Sequence, residues 1–158
     1  QGKALVVADS DEHNEEGHII EDAASRNKMV LKRQRKLNGL KSELDQPRFH
    51  KVPKADMTLV GWGSTYGAIK EAAAILRKEG IGANILHLNE LWPFPAEAVS
   101  DALNNTPKSY VVENNATGQL AHLIRAETGI KATGNILKFD GRPFSPEYIV
   151  NALKKEVV

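Results

Sequence analysis

Short apolar runs alternate with longer amphipathic stretches from residue 57 onward. The runs have the length and β-branched content of strands buried on both faces, whereas the longer stretches repeat apolar residues at helical spacing. Strands are predicted over residues 57–60, 83–88, 109–113 and 135–139, and helices over residues 65–79, 96–104, 118–128 and 146–155. Because strands that alternate with helices form mainly parallel sheets covered on both faces, the pattern predicts an α/β fold.

A different pattern precedes these elements. Residues 4–8 (ALVVA) are a short strand candidate, and an acidic loop follows them. Residues 20–44 predict a long helix with acidic residues at its start, basic residues along its later turns and a narrow apolar stripe. Residues 45–56 contain two prolines and are typical of a linker. The expected division is an N-terminal segment over residues 1–46 and an α/β domain over residues 47–158.

The turn after the first buried strand is rich in glycine and small polar residues. Its candidates for binding a ligand or contacting another subunit are Gly61, Gly63, Ser64, Thr65 and Gly67. Ser64 and Thr65 are N-cap candidates for the following helix, and the free amides of a helix N-terminus favour anions such as phosphate. The spacing G-x-G-x-x-x-G is one residue longer than the dinucleotide fingerprint. An ordinary strand-to-helix turn would use the same residues, and this structural role is the favoured one.

A second polar turn follows the third predicted buried strand. Its candidate residues are Glu113, Asn114, Asn115, Thr117 and Gly118, with Thr117 as the expected cap of the next helix. The carboxyl ends of parallel strands share one edge of a sheet, so both polar turns and the loops at 89–95 and 140–143 should meet there. Such an edge can bind a ligand or dock a subunit, and the residues alone do not separate the two roles.

No catalytic residue and no metal site is assigned from the sequence. Glu113 and Asp140 are expected at the ends of neighbouring strands, where paired carboxylates could do acid–base work, but a helix cap or a turn residue is the favoured role of each. Asp9, Asp11 and His13 alternate as in a calcium loop, yet that pattern fails at its glycine and its bidentate glutamate positions. A looser transition-metal site at His13 and His18 is the alternative, and a solvated loop or one buried against a partner is the favoured role.

Composition narrows the range of partners. Lys and Arg total 21 against 20 Asp and Glu, so there is no net field to recruit nucleic acid or an acidic membrane surface. The absence of cysteine excludes thiolate metal sites and iron–sulfur ligation by this chain. No apolar stretch approaches the roughly 20 residues needed to span a bilayer, and we expect a cytoplasmic protein.

Five segments of the chain, in order, resemble one enzyme family. The segments are ADSDEHNEEGHIIED, LVGWGSTYGAIKEA, LHLNELWPFP, VVENNATGQLAHLIRAETG and LKFDGRPFSPE. They are similar to the C-terminal part of the alpha subunit of 2-oxoacid:ferredoxin oxidoreductases, most of all the 2-oxoglutarate type. The resemblance implies a three-layer αβα fold like the transketolase C-terminal domain. Its sheet would have five strands, mainly parallel with one antiparallel, and residues 4–8 are the candidate fifth strand.

The resemblance also implies an activity for the full enzyme. A 2-oxoacid would be decarboxylated on thiamine diphosphate, electrons would pass through an iron–sulfur cluster to ferredoxin, and an acyl-coenzyme A would form. Thiamine diphosphate and magnesium would be held elsewhere, because Asp140-Gly141 lacks the preceding Gly and the downstream Asn pair of the thiamine–magnesium motif. The implied partners are the beta subunit, ferredoxin through the complex, and a second copy of the chain. The isolated chain is expected to be inactive. In the full enzyme it is expected to help assemble the subunits and to shape the active-site channel.

Overall fold

Two compact units make up the chain, Gln1–Leu44 and Asp45–Val158. The computed structural model describes residues 11–156. The strand candidate at residues 4–8 therefore lies outside the described residues.

The first unit contains one helix, α1 (Ala23–Lys41), within its described part. The predicted helix over residues 20–44 exists but is shorter at both ends. It begins after Asp22, whose carboxylate accepts a hydrogen bond from the Ser25 amide at 2.8 Å and caps the first turn. It ends before Ser42, whose amide and hydroxyl both donate to the Gly39 carbonyl at 3.1 and 2.7 Å.

Two glutamates of the acidic loop pair with basic side chains of α1. The Glu12 carboxylate accepts from both Arg33 guanidinium nitrogens at 2.9 and 2.7 Å and from Arg26 at 3.0 Å. The Glu15 carboxylate accepts from Lys28 at 3.0 Å and from Lys32 at 2.8 Å. These bonds and charges lower the pKa of each carboxyl to about 2. The acidic loop is thus held against α1 by ion pairs.

The second unit is a three-layer α/β domain, as predicted. Its five strands are β1 (Arg48–His50), β2 (Met57–Trp62), β3 (Ala83–Leu88), β4 (Ser109–Glu113) and β5 (Gly134–Leu137). The helices are α2 (Tyr66–Lys78), α3 (Ala96–Asn104), α4 (Gln119–Thr128) and α5 (Pro146–Glu156). The strand order is β1-β3-β2-β4-β5, and every neighbouring pair is parallel except β1 with β3. Five strands with one antiparallel partner are what the family resemblance implies.

Alternate residues of the central strands feed two separate apolar cores. On one face, Leu59 and Ile85 pack with side chains of α2 and α5. On the other face, Val60 and Leu86 pack with side chains of α3 and α4. Burial on both faces explains why these strands appear in the sequence as continuous apolar runs rather than as alternating ones.

The antiparallel strand comes from the segment predicted to be a linker. Phe49 pairs with Leu86 at the sheet edge and packs in the α3–α4 core, while His50 pairs with Ile85 on the opposite face. Only three residues pair, and the prolines at 47 and 53 bracket them. Proline cannot donate to a sheet ladder, but an edge strand this short tolerates it outside the paired residues.

Acid titration tests the ion pairs of the first unit. Both pKa values are depressed from 4.5 to about 2 in the folded chain. The pairs therefore stabilise the unit above pH 4.5, and their contribution is lost as the pH falls through about 2. Carboxyl-carbon NMR should give midpoints near 2 for Glu12 and Glu15, and 1 M salt should raise both because the pairs are exposed.

Arg33→Gln is the matched control for this titration. It should move the Glu12 midpoint upward and leave that of Glu15 unchanged, because Arg33 pairs with Glu12 alone. Midpoints near 4.5 for both glutamates in the unchanged chain would show that the pairs do not form.

Candidate functional site

The carboxyl ends of four parallel strands meet at one edge of the sheet. Because β2 lies between β3 and β4, the turn at 61–67 stands between the loop at 89–95 and the turn at 113–118. The loop after β5 borders the 113–118 turn: Asn114 Nδ2 contacts the Lys138 carbonyl oxygen at 3.5 Å. The structure therefore places all four predicted turns along one edge, which we call the carboxyl edge.

The glycine turn is shaped by its own side chains. A Cβ at Gly61 would lie 2.3 Å from Ile69 Cδ1 and 2.6 Å from Thr65 Oγ1, so only glycine fits without movement. Gly63 adopts φ +54°, a left-handed conformation that glycine tolerates best. A short 3-10 turn over Gly63–Thr65 connects the strand to α2.

The predicted caps at this turn are wrong. Thr65 occupies the N-cap position of α2, but no side chain caps the helix there. Its hydroxyl instead accepts from the Trp62 amide at 3.1 Å and donates to the Trp62 carbonyl at 2.8 Å. Ser64 is exposed and precedes the cap position. The turn thus uses its threonine to hold the end of β2 rather than to present a hydroxyl to a ligand.

Glu113 is the most enclosed charged residue among those described. Its side chain has no exposed surface, and it ends β4 directly beneath the first turn of α4. One carboxylate oxygen accepts from the Leu120 amide at 2.7 Å and from Asn115 Nδ2 at 2.8 Å, and the other accepts from the Ala121 amide at 3.1 Å. A carboxylate at a helix N-terminus is stabilised by free amides and by the helix dipole.

Asn115 completes the cap. Its side-chain oxygen accepts from the amides of Thr117 at 3.1 Å and Gly118 at 2.7 Å. Gly118 adopts φ +67°, and a Cβ there would lie 3.1 Å from Asn135 Nδ2. Thr117, the expected cap, is exposed and takes part through its backbone only. The amides that would attract an external anion are occupied by the protein's own carboxylate and amide oxygens.

Asp140 has the turn role favoured by the sequence. Its carboxylate accepts from the Arg142 amide at 3.1 Å and pairs with Lys138. The Lys138 ammonium holds the pKa of this carboxyl below its usual range. With Glu113 buried as a cap and Asp140 tied into a turn, the two carboxylates do not form an acid–base pair.

A cluster of three aromatic rings beside the glycine turn was not predicted from the sequence. The Tyr66 hydroxyl lies 3.1 Å from His50 Nε2, and the Tyr66 ring contacts the His87 ring edge-on at 5.0 Å. His87 Nε2 lies 3.1 Å from the Gly63 carbonyl oxygen, which only accepts, so this nitrogen carries the proton. Nothing local marked these residues, because His50 lay in a presumed linker and His87 in a buried strand.

Metal binding finds no support in the described part of the chain. Within residues 11–156, no group of three or more His, Asp or Glu side chains is placed to hold a metal ion.

Substitution of Glu113 tests the capping role. Glu113→Gln should lower the free energy of unfolding by about 1–3 kcal/mol, because its new NH2 group must face a buried amide, and Glu113→Ala should cost more. Urea unfolding of the chain measures both. Asp140→Asn, which changes the exposed carboxylate of the turn after β5, is the control and should cost clearly less. Equal effects at the two positions would refute the capping role.

Substitution of Gly61 tests the packing of the turn. Gly61→Ala should destabilise the chain by about 1–3 kcal/mol through its clash with Ile69 Cδ1 and Thr65 Oγ1. Ile69→Val removes the Cδ1 atom and costs about 0.5–1.5 kcal/mol alone. The double variant should therefore be more stable than the sum of the single changes, as a double-mutant cycle in urea would reveal. Strict additivity would contradict this account.

Comparison with known proteins identifies the family. Residues 55–149 match the family described as pyruvate:ferredoxin oxidoreductase core domain II. The chain is also 36% identical, over 98% of its length, to the alpha subunit of 2-oxoacid:ferredoxin oxidoreductase 2 of Aeropyrum pernix, of which it covers 24%. It thus spans about a quarter of the length of this relative.

Solved structures give the same result. The chain superimposes on 2-oxoglutarate:ferredoxin oxidoreductase from Magnetococcus marinus, solved with 2-oxoglutarate, coenzyme A and succinyl-CoA bound, with a TM-score of 0.80 at 34% identity. That match covers 99% of this chain and 27% of the other. A split-gene transketolase, an inactive beta4 tetramer, shares the fold with a TM-score of 0.54 at 20% identity over 68% of this chain and 40% of its own. These matches confirm the resemblance seen in the sequence, and the chain belongs to the pyruvate:ferredoxin oxidoreductase core domain II family.

Proposed function

We propose that this chain is the C-terminal part of the alpha subunit of a thiamine-diphosphate-dependent 2-oxoacid:ferredoxin oxidoreductase, with 2-oxoglutarate as the favoured substrate type. The full enzyme converts a 2-oxoacid, coenzyme A and oxidised ferredoxin into an acyl-coenzyme A, CO2 and reduced ferredoxin. The observation that carries the proposal is the similarity of nearly the whole chain to an alpha subunit of such an enzyme.

Within that enzyme, the chain serves subunit assembly and shapes the wall of the active-site channel. The polar groups at the carboxyl edge support this role, because Glu113, Asn115 and Thr65 bind the chain's own backbone and make the edge rigid. Large aromatic side chains also stand exposed there: Trp92 is 58% exposed and Phe139 is 71% exposed. A rigid edge with exposed aromatic residues is suited to contact with another protein surface.

The cofactors of the enzyme are held outside this chain. Thiamine diphosphate and magnesium need free amides and a set of carboxylate or amide oxygens, whereas the α4 N-terminus is already filled by Glu113. An iron–sulfur cluster needs cysteine, which the chain lacks. The α4 N-terminus and the lack of cysteine therefore do not fit these groups, and we infer that the beta subunit and other segments supply their sites.

The setting of the enzyme follows from the same proposal. It works in the cytoplasm, with the beta subunit as direct partner and ferredoxin as a partner of the complex. Residues 1–46 join the rest of the alpha subunit to the domain of residues 47–158. Within residues 11–156, no helix is long and apolar enough to cross a membrane.

A second role, binding of a phosphate-bearing ligand such as coenzyme A at residues 61–67, has weaker support. A helix N-terminus favours phosphate, and α2 begins beside this turn. Against it, the Thr65 hydroxyl is committed to Trp62, which leaves Ser64 as the exposed hydroxyl of the turn. The assembly role is therefore the one we carry forward.

Capture of the beta subunit tests the proposal. The tagged chain, co-expressed with the beta subunit of its own source, should retain that subunit on an affinity column and show no 2-oxoacid oxidation by itself. Trp92→Ser with Phe139→Ser should weaken the capture by about tenfold or more, since buried aromatic residues dominate interface energies.

Leu31→Ser removes a comparably exposed apolar side chain of α1 and serves as the control. It should leave capture nearly unchanged. Failure of the unchanged chain to retain the beta subunit, or turnover of a 2-oxoacid by the chain alone, would refute the proposed function.

A further inference from the structure

A groove of about 1040 Å³ lies on the α2 side of the sheet, toward the amino ends of β2 and β3. It is bounded by the connection between β1 and β2 on one side and by the outer surface of α2 on the other. It therefore lies toward the opposite ends of the strands from the carboxyl edge, and the proposed function gives it no role. We call it the basic groove.

The floor of the basic groove is apolar and built from small or aliphatic residues. Ala83 and Ile85 of β3 form its base, and Ala73 and Ala74 of α2 form one wall with Ile81. Short side chains along α2 keep the groove wide, because they leave room that a larger residue would fill. An apolar floor of this kind favours contact with apolar side chains of an occupant.

Five cationic side chains surround this floor. Two come from the β1–β2 connection and three from α2: Lys51, Lys54, Lys70, Arg77 and Lys78. Lys70 and Arg77 are separated by two helical turns, about 10 Å along the axis, with the alanines between them. The cations thus line both sides of the groove along its length rather than converging on one point.

These cations have few partners of their own. The ion pairs among residues 11–156 involve none of the five. Lys51 lies 5.0 Å from the Phe49 ring, and the acidic lining residue, Asp56, accepts from the Gly82 amide at 2.7 Å. Arg77 and Lys78 complement the C-terminal dipole of α2, but that effect does not account for Lys51, Lys54 or Lys70.

The backbone of the groove argues against a small phosphate as the occupant. Small anions are usually bound by free amides, yet the amides at this end are used: Gly80 donates to Arg77 at 3.1 Å, Ile81 to Leu76 at 3.0 Å and Gly82 to Asp56. The C-terminus of α2 also carries a negative dipole end, which opposes a concentrated dianion. Carboxylates spread along a polypeptide need no free backbone amides, and their charge is not concentrated at the C-terminus of α2.

We propose that the basic groove docks an acidic polypeptide segment from outside this chain. Its apolar side chains lie on the floor near Ile85, and its carboxylates pair with Lys54 on one side and with Lys70 and Arg77 on the other. The inference rests on the proposed function, because the chain spans about a quarter of its alpha-subunit relative and most of the assembly lies outside it.

Zero-length cross-linking of the assembled enzyme tests the inference. A carbodiimide joins a lysine amine to a carboxylate only when the two groups are in contact. Treatment of the assembled oxidoreductase, followed by mass spectrometry, should give linked peptides between Lys51, Lys54, Lys70 or Lys78 and acidic residues of polypeptide outside this chain. The same lysines should resist acetylation in the assembly, whereas Lys131, on another surface, should react.

Charge removal provides the second measurement. Lys70→Gln with Arg77→Gln should weaken association of the chain with the assembly by roughly tenfold at low salt, as expected for two exposed ion pairs. Arg125→Gln with Lys131→Gln removes the same charge from exposed positions outside the groove and should change association less than about twofold. Melting curves of both variants confirm that each remains folded.

The outcomes separate this inference from the proposed function. Failure of the unchanged chain to enter the assembly would overturn both. Entry into the assembly with freely acetylated groove lysines would overturn the basic-groove inference alone. Protected lysines that give no cross-link would also overturn it and would indicate a small anion in place of a polypeptide.

Discussion

Strand β2 pairs in parallel with β3 on one side and with β4 on the other, and this pairing sets the arrangement of the whole domain. Parallel neighbouring strands require crossover helices. These helices cover both faces of the sheet, so the central strands have no solvent-exposed face. Parallel pairing also brings every strand-to-helix turn to one edge. The glycine turn, the Glu113 turn and the loops beside them are close together for this reason alone.

At that edge, several polar side chains bind the chain's own backbone, whereas His87 Nδ1 and Glu90 Oε2 are buried without a hydrogen-bond partner among the described residues. Glu113 fills the N-terminus of α4, Thr65 binds both backbone groups of Trp62, and the His87 proton points at the Gly63 carbonyl. Groups that are bonded this way hold a fixed shape but have little capacity left for a substrate. The bonds of Glu113, Asn115 and Thr65 therefore support the assembly role that we propose for this edge.

The opposite ends of the strands have a different character. In the basic groove, five cations surround a floor of small apolar residues, and ion pairs within residues 11–156 use none of them. In the first unit, by contrast, Glu12 and Glu15 form ion pairs with four cations of α1. Within the described part of the chain, four cations of α1 are thus held in ion pairs, whereas the five cations of the basic groove are not.

The central strands, their helices and the alternation of the two along the chain were predictable from the residues alone, because the short apolar runs from residue 57 onward are separated by amphipathic stretches and clear turn residues. The same residues predicted that the polar turns share an edge, and they favoured a cap or turn role over an acid–base pair for Glu113 and Asp140. Strand β1 was missed, since three residues flanked by prolines carry no periodic signal, and their pairing depends on the distant β3.

How the turns use their side chains depends on contacts that form only in the folded chain. Thr65, Ser64 and Thr117 have the right chemistry for caps, but Thr65 turns back to Trp62, and Glu113 reaches the α4 amides from seven residues away along the chain. The basic groove likewise brings Lys51 and Lys54, which precede β2, together with Lys70 and Arg77 of α2. The chemical type of each side chain can be read from the sequence. Its hydrogen-bond partner and its charged neighbours depend on distances in space, which only the folded sheet establishes.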